Sequence, residues 1–182
     1  MNKPLIIDIY HGDYVSDMSL VKQSRIIGII HKATQGNSIR DAKYHTRRKD
    51  AYDLGLLWGA YHFFHGGKDE VDFFLSYTEP TPDTLVCLDW ENVGGGSATA
   101  AQARVFLDRI QEKLNRKAVI YSGNVAKERI VGKDQYFGAH RLWLCQYGPK
   151  WAVQKSWQYP WLWQNNGDAA GPGPHVISGV RG

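Results

Sequence analysis

Seven short apolar segments recur along this chain, and each closes on polar residues. They cover residues 4–10, 26–33, 56–64, 84–91, 117–122, 141–147 and 160–164. Runs such as LIIDI and IIGII suit strands buried on both faces. Helical stretches fall between most of them, at 17–24, 41–54, 68–77 and 124–131, with Gly55 placed where a helix ends in a left-handed residue. The clearest helix begins at Thr99: Thr99-x-x-Gln102 is a capping-box pattern, and Ala103, Phe106, Leu107, Ile110 and Leu114 follow on one face. Strands alternating with helices predict parallel βαβ units. Five such units, then strands without long helices between them, predict an α/β fold: an irregular TIM-like β/α barrel, with residues 1–182 as a single domain.

In barrels of this kind the C-terminal strand ends build the active site. Here polar residues gather at those ends: Asp8 and His11, Lys32 and Thr34, Tyr61 and His62, Asp89 and Glu91, Tyr121, Gln146 and Tyr147, Trp163 and Gln164. The most pointed case is Leu85-Val86-Cys87-Leu88-Asp89-Trp90-Glu91. On a strand, positions i and i+2 share a face, so the two acids emerge side by side while Trp90 turns into the packing layer. Adjacent carboxyls can have their pKa values driven apart, as glycosidic bond cleavage requires. With 13 Asp and 5 Glu in the chain, an Asp-x-Glu triplet is near chance; its place at the end of a buried-type strand gives it weight.

The aromatic content of 13% includes 7 Trp and 10 Tyr. Most belong in a core, as Trp58, Trp143 and Trp161 are read here, but Trp163 and Tyr147 at strand ends suit the stacking of flat sugar rings. A net charge of +4 favours an anionic partner. No nucleic-acid module is recognisable, and Arg47-Arg48-Lys49 reads as a solvated helix face. Cys87 and Cys145 lie in apolar strand-like segments and read as two thiols rather than a disulfide. No His-x-x-His or Glu-x-x-His spacing falls on a predicted helix, so no metal or cofactor is expected, and His11 and His62 read as hydrogen-bonded histidines. No segment is long enough to span a bilayer, and the N-terminus lacks the apolar core and cleavage site of a signal peptide.

Seven motifs in order carry a resemblance to a family: IDIYHGD (7–13), HKATQG (31–36), GAYHFF (59–64), LDWE (88–91), VIYSG (119–123), LWLCQYG (142–148) and LWQ (162–164). The chain resembles the glycoside hydrolase family 25 lysozymes, the Chalaropsis-type N-acetylmuramidases of phage endolysins and bacterial autolysins. The resemblance implies an irregular β/α barrel that hydrolyses the β-1,4 bond between N-acetylmuramic acid and N-acetylglucosamine in peptidoglycan. It carries the family's acid pair onto Asp89 and Glu91, its first-strand aspartate onto Asp8, and its tyrosines onto Tyr61 and Tyr121. Glu91 is then the general acid and Asp89 its ionised partner, which stabilises the oxocarbenium-like state or orients the substrate's 2-acetamido group. Tyr61, Tyr121, Tyr147, Trp163 and His11 are the expected substrate-binding residues.

A chitinase- or hexosaminidase-like barrel, which also uses a strand-end Asp-x-Glu, is the alternative enzyme. A wall-binding barrel with impaired catalysis is the alternative without chemistry. The family pattern places a further aspartate near the C-terminus, and in this chain no acid follows Asp168. The expected partner is the glycan strand of peptidoglycan, met by a monomer. The protein is expected to be made in the cytoplasm and to reach the wall as an endolysin does, through a membrane lesion.

Overall fold

A computed structural model of the protein describes residues 5–94, 96–167, 177 and 179–181. In chain order the elements are β1 (Leu5–Ile9), β2 (Tyr14–Val15), α1 (Met18–Gln23), β3 (Ile26–Gln35), β4 (Ile39–Arg40), α2 (Tyr44–Asp53) and β5 (Leu57–Phe63). Then follow α3 (Glu70–Thr78), β6 (Leu85–Asp89), α4 (Ala100–Leu114), β7 (Val119–Ser122), α5 (Asn124–Arg129), α6 (Gln135–Gly138), β8 (Leu142–Cys145), β9 (Leu162–Gln164) and β10 (Val180–Arg181). All seven expected strands are present; six are somewhat shorter than their apolar runs, and β3 extends two residues past its run, to Gln35. The pairs β2–β10 and β3–β4 are antiparallel ladders of two residues each, too short to leave a periodic signal.

Seven strands form one parallel sheet in the order β1-β3-β5-β6-β7-β8-β9. The sheet curls: Gln164 on the last strand hydrogen-bonds Asp8 on the first. β1 and β9 are nevertheless its two edges, and no backbone ladder joins them among the described residues. The architecture is thus a mixed α/β half-barrel rather than a regular barrel of five βα units. The physical reason lies in the connections. Helices α1, α5 and α6 have six, six and four residues, and β8 runs to β9 through a stretch without a helix.

Alternation along the strands divides the side chains. The convex face carries the larger core, in which Ile29, Ala60, Leu88, Trp90, Ile120 and Leu144 meet Phe74 of α3 and Phe106, Leu107 and Ile110 of α4. The concave face holds a second cluster of Ile30, Cys87, Val119, Tyr121 and Trp143. The capping box expected from sequence is made, Thr99 and Gln102 bonding reciprocally at the start of α4, and Asp17 caps α1 by accepting from Ser19 N at 2.7 Å. Gln102 also donates to Gly66 O at 2.9 Å, which ties the loop after β5 to that helix.

One irregularity changes which residues reach the concave face. In the β3–β5 ladder Lys32 pairs with Tyr61, but Thr34 pairs with His62, so Ala33 is an extra residue. Such a bulge re-aims the side chains beyond it. Thr34 is turned to the convex side, where its Oγ1 lies 2.7 Å from His62 Nδ1. His62 Nε2 lies 2.7 Å from Glu70 Oε2, and the same carboxylate accepts from the backbone N–H groups of His65 and Gly67. Thr34 and His62 therefore belong to a buried polar chain under α3, not to the strand-end cluster in which the sequence groups them.

Candidate active site

A cavity of about 260 Å³ opens at the C-terminal ends of the strands, lined by Asp8, Lys32, Tyr61, Asp89, Glu91 and Tyr121, with Trp143 below them. Each of these comes from a different strand end, apart from the Asp89–Glu91 pair. β6 stops at Asp89, so Glu91 lies just beyond the strand. The alternation still holds, because Trp90 N donates to Tyr121 O at 2.9 Å and keeps the chain in line with β7. Trp90 is fully buried on the opposite side, its indole N–H donating to Ala98 O and its ring stacked on Phe137.

Asp89 is 5% exposed, and its Oδ1 is a buried atom without a hydrogen-bond partner. Burial first, then the charge of Glu91, drives its pKa well above the carboxylate range; Lys32 opposes them. Glu91 is less buried and is also raised, chiefly by burial, while a hydrogen bond with the Cys145 thiol pulls the other way. Asp8 is pushed up to about 6 by burial, with Gln164 opposing and Asp13 and Glu91 adding. Three acids in one apolar hollow thus hold protons far more readily than free carboxyls do. The sequence reading gave the proton to Glu91 and the charge to Asp89. Burial raises both acids of the pair, and at the deeper Asp89 the charge of Glu91 adds to it.

Lys32 is the cation among the residues that line this cavity. Its Nζ donates to Gln35 Oε1 at 2.5 Å and lies 5.0 Å from the Phe63 ring centre. The Tyr121 ring lies tilted against Trp143, centroids 4.5 Å apart, and its hydroxyl donates to Gln164 Oε1 at 2.7 Å. The Tyr61 and Tyr121 hydroxyls are strongly raised by burial and then by the neighbouring acids, so both remain protonated donors.

A second hollow of about 300 Å³ continues from Asp8 and Tyr61 along the seam between β1 and β9, where Tyr10, Tyr147, Trp163 and Gln164 line it. Tyr147 is 46% exposed there, and the Trp163 indole N–H donates to Gln146 O at 2.7 Å. His11 lines neither hollow; its Nδ1 sits 3.1 Å from Asp41 Oδ2. A larger, mostly apolar hollow of about 730 Å³ opens at the other end of the sheet and holds no acid pair. The C-terminal stretch from Asp168 to Pro174 lies outside the described residues.

Sequence reasoning missed Trp143 and Cys145 as members of the site, and it placed Gln164 at a strand end without giving it a role. The signal was available: Trp143 and Cys145 are i and i+2 on one strand, the first opposite Tyr121 and the second against Gly123. Gly123 permits the approach, since a Cβ there would meet Cys145 O at 2.5 Å.

Carboxyls with raised proton affinity around a groove at the strand ends of a curled parallel sheet are the equipment of a glycoside hydrolase. The chain belongs to the glycosyl hydrolases family 25, whose sequence profile matches residues 7–173. The uncharacterized protein YegX of Escherichia coli (strain CFT073) is 29% identical over 122 residues, covering 64% of this chain and 44% of that protein. Lysozyme M1 of Streptomyces globisporus is 24% identical over 180 residues, covering 84% and 60%. The muramidase structure from Trichobolus zukalii superimposes with a TM-score of 0.79 at 25% identity, covering 90% of this chain and 88% of that one. The chain spans less than half the length of YegX and three fifths of Lysozyme M1.

Proposed function

We propose that the protein is a peptidoglycan hydrolase, an N-acetylmuramidase that cuts the β-1,4 bond between N-acetylmuramic acid and N-acetylglucosamine. The observation that carries this reading is the buried, partnerless Asp89 Oδ1 beside Glu91. A buried acceptor without a donor is rare in a folded protein and calls for one from a ligand. The N–H of a sugar's 2-acetamido group is such a donor. Its arrival favours ionised Asp89 and so leaves a proton on Glu91. Glu91 then protonates the glycosidic oxygen as the bond breaks, while the oriented acetamido carbonyl attacks C1. Water completes the hydrolysis with Glu91 as base. Tyr61 and Tyr121 donate hydrogen bonds near the reacting sugar, Asp8 adds negative field, and Tyr147 and Trp163 carry sugars along the seam. His11, tied to Asp41, contributes through the loop that carries Tyr10 and Asp13.

In this reading the half-barrel is the greater part of an irregular β/α barrel, residues 1–182 act as one catalytic unit, and the protein works as a monomer on the cell wall. In the same reading it reaches the wall as an endolysin does, through a membrane lesion. The test is digestion of purified peptidoglycan and identification of the new reducing ends. Reducing muramic acid is expected. Reducing glucosamine would mean a hexosaminidase, and binding without cleavage a wall-binding protein. Glu91→Gln is expected to bind wall while losing about 10²–10⁴-fold in rate, the worth of one general acid.

A further inference from the structure

β1 and β9 are the two edges of the sheet and share no backbone hydrogen bond among the described residues. A side chain spans the gap. Gln164, the last residue of β9, donates from Nε2 to Asp8 Oδ2 at 2.9 Å, and its Oε1 accepts from the Tyr121 hydroxyl at 2.7 Å. Both ends of the amide are therefore used, and its orientation is fixed: a carboxylate only accepts, so the NH₂ must face Asp8. Resting on the muramidase reading above, we propose that Gln164 is a positioning residue that closes the seam with its side chain and holds Asp8 as a hydrogen-bonded carboxylate beside the Asp89–Glu91 pair.

The surroundings explain why Asp8 needs such a partner. Asp13 on its own loop and Glu91 beyond β6 press negative charge on it, and Asp89 on β6 is repelled by it in turn. Cys87 on β6, Tyr61 on β5 and Cys145 on β8 feel its charge as neutral acids. Tyr121 on β7 reaches it through the glutamine, and Lys32 on β3 is the cation that lines the same cavity. Among the influences on Asp8, the Gln164 hydrogen bond is the largest that favours its charged form. Glutamine suits this place better than an acid, since a second carboxylate would repel Asp8, and better than an apolar residue, which would leave Asp8 and Tyr121 unpaired.

The test is a ¹³C NMR titration of the Asp8 carboxyl in wild type, Gln164→Met and Gln164→Glu, alongside pH profiles of kcat and KM on soluble wall fragments. In Gln164→Met the Asp8 midpoint and the acid limb of kcat are expected to move up together by about one pH unit, the tenfold change that follows loss of one hydrogen bond to a charge. KM is expected to change by less than about twofold, since both ends of the amide are taken up by Asp8 and Tyr121. Gln164→Glu should match wild type at acid pH, where protonated glutamic acid keeps both a donor and an acceptor, and lose activity as it ionises. An Asp8 midpoint unmoved in Gln164→Met, or a Gln164→Glu profile identical to wild type, would overturn the proposal. If Gln164→Met does not fold, the Gln164→Glu profile decides alone. The NMR midpoint needs no turnover, so a protein that cuts no wall yet shows the shift refutes the muramidase reading and leaves the clamp standing.

Discussion

At the scale of single residues, the acids of the cleft work against the fold that holds them. A carboxyl whose folded pKa lies above its unfolded value binds more protons when folded, so its contribution to stability falls as pH rises through that window. For Asp8 the window runs from 3.8 to about 6. At pH 7 the full penalty applies, at most about 3 kcal/mol. Asp8→Asn, which keeps an acceptor for Gln164, is therefore expected to be more stable than wild type by about 1–3 kcal/mol at pH 7, with the difference vanishing below about pH 4. Urea unfolding at the two pH values checks this; an equal difference at both would contradict it. Much of the residue-level site was legible. Asp8, Tyr61, Asp89, Glu91 and Tyr121 sit at strand ends with the right parity, and one cavity gathers them. Gln164 was not legible as a partner of Asp8, because parity places a residue on a face but says nothing of what lies across an open seam.

At the scale of elements, two helix attachments of different strength hold the site's floor and wall. Glu70 is buried, and burial pushes its pKa up, but His62 and the N–H groups of His65 and Gly67 outweigh that and hold it below the usual range. Its contribution is thus present above the unfolded pKa and fades as pH falls. His62 is held neutral chiefly by burial. The exposed Thr99–Gln102 box makes an ordinary cap. Glu70→Ala should lower stability by about 3 kcal/mol, as breaking a buried charged network does, and Thr99→Ala by about 1 kcal/mol, as losing a cap does. Urea midpoints test the order, and a smaller loss for Glu70→Ala would contradict it. The capping box was legible because it is a local pattern four residues long. The Thr34–His62–Glu70 chain was not: it depends on the bulge at Ala33, and a one-residue shift leaves no mark in an apolar run.

At the scale of the whole molecule, the net charge of +4 adds attraction to an anionic wall. Raising salt from about 0.05 to 0.3 M shortens the Debye length to under 10 Å. Clearing of intact walls is then expected to slow severalfold, while cleavage of short neutral glycans stays within about twofold. Turbidity and chromatographic assays compare the two, and equal slowing would place the salt effect in the cleft instead. The parallel sheet and its strand order were legible from the alternation of elements. The half-barrel form was not, since the sequence marks α1 and α5 as helices without showing that connections so short leave β1 and β9 as open edges. The contact between Asp8 and Gln164 joins positions 156 residues apart. A chain still emerging from the ribosome carries Asp8, Asp89 and Glu91 long before it carries their last neighbour. If the proposed roles hold, cleavage has to wait until β9 has been made and has come to rest beside β1.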